Sequence, residues 1–271
     1  MKNFALVGKD IRGSFSPDIH SFCFESLSLE ACYHIIDIES SSDISAVVSR
    51  LKLGDLDGIN ITAPYKKDFI SHLDHLNPRA EDIGSINCIH SNNGKLIGNN
   101  TDWFGFGQSI RDFQEFDNVV IIGGGGVVPA IVYYIETRLG CPIHIIGRDL
   151  KKLEHFQTDN ISIHDIQNFN LDITNSIIIN TVPSENRVNW AYTINSITAQ
   201  PQFAMDLNYH LKATEFLNYF NSSVEIKNGL DMLIHQALMS IDIWFNENLS
   251  KSIHFEDLKD KISARYNDEY E

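Results

Sequence analysis

Four consecutive glycines, Gly123 to Gly126, stand between two apolar segments: Asn118-Val119-Val120-Ile121-Ile122 before them and Val127-Val128-Pro129-Ala130 after. A short apolar run closed by glycines reads as a buried parallel strand and the tight turn that follows it. Glycines let backbone amides come close to an anion at the mouth of a helix, whose dipole favours negative charge. The spacing is near the dinucleotide fingerprint but not strict, because Ala130 stands where a more distant third glycine would be. The chemistry suggested is phosphate binding; the plainer alternative is a flexible glycine-rich turn. A second apolar run, Pro142-Ile143-His144-Ile145-Ile146, ends in Gly147-Arg148-Asp149, which puts polar residues where a cofactor ribose would sit.

Other polar sets also lie beside glycine and proline turns. Ser14 and Ser16 flank Phe15 ahead of Pro17, and Asn60 and Thr62 alternate along a strand that Pro64 ends, with Lys66 and Lys67 just beyond. Alternation puts Asn60 and Thr62 on one face. Asn87, the run Asn100-Thr101-Asp102 and Gln236 complete the group. Each has a modest alternative: turn and helix capping for the serines, an ordinary surface position for Lys66, and a helix cap for Asp102. None has metal-ligand spacing. His20 and His34 are isolated, His72 and His75 lie in a helix-like stretch, and no H-E-x-x-H, C-x-x-C or G-x-S-x-G pattern is present.

The elements that must position these residues follow an α/β pattern. Strands are expected at Phe4–Val7, Tyr33–Ile38 and Gly58–Thr62, with helices from Ser16-Pro17 and over Ile44–Leu53, so that residues up to about 100 form one α/β unit. A helix over Thr101–Phe116 leads into a second unit that repeats strand–helix pairs at 119–122, 128–139, 143–146 and 150–156. Further parallel strands are expected at Ser176–Thr181 and Phe203–Leu207. A long helix from Met232 and a charged amphipathic helix over Phe255–Tyr270 end the chain.

The chain's 271 residues suffice for two compact domains. Its net charge of -15, from 21 basic and 36 acidic residues, argues against wholesale binding to nucleic acid or to an anionic membrane. The amino-terminal segment lacks the apolar length of a signal peptide, no apolar run approaches the length of a bilayer span, and Cys23, Cys32, Cys88 and Cys141 are scattered among mostly apolar neighbours. A reduced, cytoplasmic setting is expected.

These segments resemble the shikimate dehydrogenase family, through nearly the whole chain. The segment Val7–His20 is similar to the family's amino-terminal one, whose two serines hold the substrate carboxylate; they fall on Ser14 and Ser16, with Asp10 and Gly13 where proline and histidine are usual. Gly58-Ile59-Asn60-Ile61-Thr62-Ala63-Pro64-Tyr65-Lys66 is the sharpest match, and implies that Asn60 and Thr62 bind substrate and Lys66 is catalytic. Gly84-Ser85-Ile86-Asn87 implies a substrate ligand at Asn87, and Gly94–Asp102 the catalytic aspartate at Asp102. Asn228-Gly229-Leu230-Asp231-Met232-Leu233-Ile234-His235-Gln236-Ala237 looks like the carboxy-terminal signature, with Gln236 on substrate.

The resemblance implies two α/β domains flanking a cleft. Residues 1–102, completed by helices in 230–271, would bind substrate, and a Rossmann-like domain over 103–229 would bind the dinucleotide. It also implies reversible NADP-dependent reduction of 3-dehydroshikimate to shikimate in aromatic amino acid biosynthesis, by a monomer or homodimer without a metal. The implied cofactor set is Gly123, Gly124, Gly125, Gly126, Val127, Arg148, Asp149, Lys152, Asn180, Thr181, Tyr209 and Gly229.

Two departures touch that set: Val182-Pro183-Ser184 replaces a small residue followed by Gly-Met, and Gly147-Arg148-Asp149 stands where NADP-specific members tend to have Asn-Arg-Thr. Arg148, Lys151 and Lys152 favour a 2′-phosphate. Asp149 opposes one, so NADP(H) is expected and NAD(H) stays open. Asp206-Leu207-Asn208-Tyr209 resembles the family's pocket wall near the nicotinamide, and alone would read as a strand end. Two other functions are weighed: a quinate/shikimate dehydrogenase of broader substrate or NAD use, and a catalytically silent nucleotide-binding sensor. The presence of both Lys66 and Asp102 counts against the sensor.

Overall fold

The structure is a computed structural model describing residues 1–113, 115–184, 186, 188–195, 197, 199–209 and 214–270, with backbone alone at 191, 192, 195 and 265–270. The chain divides into two compact units: Met1–Gln108 with Leu233–Glu271, and Ser109–Met232.

The first unit opens with β1 (Lys2–Gly8), α1 (Ser16–Ser26), β2 (Ala31–Asp37), α2 (Ile44–Leu53) and β3 (Gly58–Ile61). Then come β4 (His75–Leu76), α3 (Pro78–Ile83), β5 (Cys88–Asn92), β6 (Lys95–Asn99) and α4 (Asp102–Ser109). Its sheet runs β2-β1-β3-β5-β6-β4; β2, β1 and β3 are parallel, whereas β5 is antiparallel to both β3 and β6. Alternation sends Ala5, Val7, Ile59 and Ile61 into a core shared with Val47, Val48 and Leu51 of α2.

The second unit contains β7 (Asn118–Ile122), α5 (Val128–Tyr134), β8 (Ile143–Gly147), α6 (Leu150–Leu153), β9 (Ile161–Asp165) and β10 (Ser176–Asn180). It continues with α7 (Trp190–Asn195), β11 (Phe203–Asp206) and β12 (Glu225–Asn228). All its strand pairs are parallel, in the order β12-β11-β10-β7-β8-β9. Strands β7 and β10 are apolar almost throughout because both faces of this sheet are covered: Val119 to Ile122 and Ile177 to Ile179 have no exposed surface.

The chain then forms α8 (Leu230–Phe245) and α9 (Phe255–Tyr270). From Leu233 onward α8 belongs to the first unit. There Trp244 stacks on Phe4 at 4.3 Å between ring centroids, and its indole N–H donates to the Ile89 carbonyl at 3.1 Å. Burying two such rings contributes about 2–3 kcal/mol each, enough to fasten the chain's end to the sheet of its beginning.

Three sequence expectations are corrected. The helix expected over Thr101–Phe116 stops at Ser109; Phe113 N–H donates to the Ile110 carbonyl in a tight turn, and the Phe113 ring stacks on Phe203 at 4.4 Å. His72 and His75 do not share a helix: a 3-10 turn spans Asp68–His72, Leu73 is extended, and His75 begins β4 opposite Ile97. The early strands are not all separated by helices either. β5 and β6 form a hairpin whose turn, Asn93-Gly94, has φ of 52° and 77°. An Asn-Gly pair between strands is the sequence signal for that turn.

Candidate active site

Lys66 is placed by its neighbours. Tyr65 is buried and its hydroxyl donates to the Ile38 carbonyl at 3.0 Å, while the Lys66 carbonyl accepts from Ile86 N–H at 3.0 Å. The second bond lays Lys66 beside Asn87. Lys66 Nζ then donates to Asp102 Oδ2 at 2.5 Å, with the side chains 12% and 8% exposed.

Asp102 is the first residue of α4. Asn100 caps that helix: its Oδ1 accepts from Asp102 N–H at 3.0 Å, and its own amide N donates to the Ser85 carbonyl at 3.0 Å. The other Asp102 oxygen accepts from Asn87 Nδ2 at 2.9 Å. Asn87 Oδ1 accepts from Thr101 N–H at 2.6 Å, which fixes the Asn87 amide with its nitrogen toward the carboxylate. Gln236 arrives on α8 with Oε1 at 3.3 Å from Asn87 Nδ2 and its Nε2 donating to the Leu233 carbonyl at 2.8 Å. Lys66, Asp102, Asn87 and Gln236 thus form one hydrogen-bonded cluster within the first unit.

Asn60 joins it through the Asn87 carbonyl, which accepts from Asn60 Nδ2 at 3.1 Å. Thr62 is half-buried one residue past β3, its N–H donating to the Val7 carbonyl at 2.9 Å. Ser16 starts α1 and Ser14 lies two residues ahead of it; Ser14 Oγ lies 3.2 Å from Ser16 Oγ and accepts from Ser16 N–H at 3.2 Å. The serines therefore do shape the turn, while keeping their hydroxyls side by side.

Two residues were missed from the sequence. Ser240 accepts from Asn60 Nδ2 at 2.9 Å, and Tyr33 OH donates to Asn60 Oδ1 at 2.9 Å. Ser240 lies one helical turn after Gln236 on α8, which is the only sequence signal it offered.

The second unit holds the other set. Gly123 leaves β7 at φ +110°, and a Cβ there would run into Thr181 Oγ1, whose hydroxyl donates to the Ile122 carbonyl at 2.9 Å. Glycine is required on both counts. Gly124, Gly125 and Gly126 are exposed and Val127 is half-buried ahead of α5; a Cβ on Gly125 would meet nothing within 4 Å. That open space beside exposed backbone suits a phosphate group.

Arg148 and Asp149 are exposed at the end of β8, and Lys152 Nζ lies 3.7 Å from Asp149 Oδ2. Asn180 is buried with its amide committed: Oδ1 accepts from Val182 N–H and Nδ2 donates to Asp206 Oδ1, both at 2.9 Å. Asp206, 1% exposed, also accepts from Asn208 N–H, Asn208 Nδ2 and Thr214 Oγ1. Burial lifts its carboxyl above the ordinary range, with the bonds from Thr214, Asn208 and Asn180 pulling the other way. Asn208 also ties down the unusual Val182-Pro183-Ser184 segment, donating to the Val182 carbonyl at 2.9 Å and accepting from Ser184 N–H at 3.0 Å. Tyr209 follows, half-buried; Gly229 packs against the Leu207 backbone so closely that no side chain fits.

Residues 6–89 match the family model described as shikimate dehydrogenase substrate binding domain. A curated shikimate dehydrogenase (NADP(+)) of Caldanaerobacter subterraneus subsp. tengcongensis is 31% identical, covering 96% of this chain and 98% of that protein. One from Clostridium beijerinckii is 29% identical, covering 90% and 92%. Among solved structures, shikimate dehydrogenase 1 from Peptoclostridium difficile superposes with a TM-score of 0.80 at 28% identity, covering 98% of both chains. A shikimate dehydrogenase in complex with NADP+ gives 0.82 at 25% identity, covering 98% of this chain and 96% of that one. Similarity of this degree, sustained from end to end, shows that the chain belongs to the shikimate dehydrogenase family.

Proposed function

We propose that the protein is a shikimate dehydrogenase that interconverts 3-dehydroshikimate and shikimate with NADP(H), a step of aromatic amino acid biosynthesis. The observation that carries this reading is the Lys66–Asp102 pair at 2.5 Å, joined through Asn87 to Gln236. In this reading the first unit binds substrate and the second binds the dinucleotide.

Ser14 and Ser16 hydroxyls donate to the substrate carboxylate, and Asn60, Thr62, Asn87 and Gln236 orient the ring hydroxyls. In the reductive direction the Lys66 ammonium donates its proton to the carbonyl oxygen as that oxygen becomes the alcohol, and solvent restores the proton. Asp102 holds Lys66 in place. With one oxygen on Lys66 and the other on Asn87, its remaining lone pairs can accept from a ring hydroxyl.

The exposed glycine turn and the basic residues near β8 fit a dinucleotide phosphate. Gly123, Gly124, Gly125, Gly126, Val127, Arg148, Asp149, Lys152, Thr181, Tyr209 and Gly229 would hold the cofactor, with Asn180 shaping the loop beneath it. When bound, the nicotinamide supplies or takes up the hydride. Lys152 offsets part of the Asp149 charge, which favours NADP(H) despite the acidic residue.

The test is NADP+-dependent oxidation of shikimate by the purified protein, followed by the absorbance of the reduced nicotinamide. Turnover that Lys66→Ala cuts by roughly 10²–10⁴-fold supports the reading, and no turnover with either nicotinamide cofactor overturns it.

A further inference from the structure

Two histidines meet at the edge of the second unit's sheet. β9 is an outer strand, parallel to β8, and the register sets His144 opposite Ser162 and His164 opposite Ile146. Partners in register share a face of the sheet, and so do residues two apart on one strand. Both imidazoles therefore rise from the same side, on a diagonal across the two strands. His144 Nδ1 lies 3.0 Å from His164 Nε2, with ring centroids 5.1 Å apart and the planes tilted by 49°. Both residues are half-buried, so solvent still reaches the pair.

A nitrogen pair held in this way can share a proton or share a cation. In the first case one ring donates to the other, and the tautomer decides which. In the second, two metal–nitrogen bonds of about 2.0–2.1 Å at a tetrahedral angle hold their nitrogens about 3.3 Å apart. The pair needs to open by only a few tenths of an ångström to accept that geometry. Burial lowers both imidazoles below their ordinary 6.5, and the charge of His164 lowers His144 further. At neutral pH both rings are therefore uncharged, and each has a lone pair to give. The ring that had donated shifts its hydrogen to its other nitrogen, Nε2 of His144 or Nδ1 of His164, so no proton leaves the pair.

We propose that His144 and His164 form a binding site for a late first-row divalent cation of the Zn2+ class, which clips the edge strand β9 to β8. Imidazole nitrogen selects this class over Mg2+ and Ca2+, which take oxygen ligands. Among the described residues no group of three or more His, Cys, Asp or Glu side chains is placed to hold a metal, so water fills the remaining positions around the cation. Four protein ligands bind Zn2+ at nanomolar concentration or below; half that set gives a Kd on the order of 10 µM. The inference does not rest on the function proposed above and uses none of its residues.

Zn2+ is titrated calorimetrically into the parent, His144→Gln and His164→Gln near neutral pH in a non-chelating buffer, and Tm is measured with and without Zn2+. Glutamine keeps a polar side chain at each place and removes the imidazole. Other histidines, and Cys32 beside His34, can take up Zn2+ in all three proteins, so the readout is the difference between them. The parent is expected to bind one more Zn2+ per chain than either variant. A cation bridging two strands binds the folded chain alone, so Zn2+ at about tenfold over Kd should raise Tm by about 2–4 °C more in the parent than in the variants. Equal uptake by all three, uptake lost in one variant alone, or equal gains in Tm overturns the inference. If a variant does not fold, the histidine ring resonances of the parent decide. Two rings in mutual contact by nuclear Overhauser effect that shift together with Zn2+ support the site, and no such pair shifting overturns it.

Discussion

Asn87 binds Asp102 and Thr101 at once: its amide N donates to Asp102 Oδ1 at 2.9 Å while its Oδ1 accepts from Thr101 N–H at 2.6 Å. The first turn of α4 and the carboxylate that grips Lys66 are therefore set by one side chain immediately before β5, the neighbour of β3. Replacing Asn87 by alanine should destabilise the first unit by about 1–3 kcal/mol, because buried partners lose their hydrogen bonds. Turnover should fall by more than that loss of folded protein explains. Denaturant unfolding beside kcat measured on the folded fraction checks both.

Lys66→Ala should reduce turnover by roughly 10²–10⁴-fold while NADP(H) binding stays close to the parent's. The residues proposed to hold the cofactor lie in the second unit, Ser109–Met232, whereas Lys66 lies in the first. Steady-state rates with a cofactor titration separate the two. Near-parent turnover would return Lys66 to the standing of a structural ion-pair partner.

Stability should fall in acid through His20. It is fully buried, and burial drives its imidazole from 6.5 down to about 3, with Asn60 nearby pulling slightly the other way. The unfolded chain takes up the proton as pH falls below 6.5, and the folded chain does not until near 3. The stabilisation is present above 6.5 and is lost as pH falls between those values, at up to about 1.4 kcal/mol per pH unit. Urea unfolding at pH 7 and pH 5 should differ by about 2 kcal/mol from this group. The difference should shrink by that amount in His20→Phe; an unchanged difference would place the acid sensitivity elsewhere.

Much of this was legible in the residues, for physical reasons. The apolar run into Gly123–Gly126 marks a buried strand and its turn because few other sequences tolerate that environment, and Asn60, Thr62 and Lys66 were readable through strand alternation and a family motif. Tyr33 and Ser240 were not. Each carries one ordinary hydroxyl, and its role exists only once β2 and α8 have packed against β3 and its Asn60. The end of α4 at Ser109 was hidden for the same reason: the stacking of Phe113 on Phe203 is a tertiary contact that local helical spacing cannot show. Strand β12 was hidden too, because its residues Glu225 to Asn228 have little apolar character and, among the described residues, pair only with β11.

Asp149→Thr should shift cofactor selection toward NADP(H). The carboxylate is exposed at the end of β8, and removing it leaves Arg148 and releases Lys152 from its 3.7 Å pairing. Solvent screening keeps the change modest, a few-fold in the ratio of kcat/KM for the two cofactors. A ratio that does not move would mean that the Asp149 carboxylate lies away from the ribose.

The most direct test of the central claim is the initial rate of shikimate oxidation with NADP+ by the parent protein and by Lys66→Ala, assayed at equal folded concentration. The account predicts steady NADPH production by the parent and a fall of roughly 10²–10⁴-fold in the variant. NADPH production that is equal in the two, or absent in the parent with both NADP+ and NAD+, would contradict it.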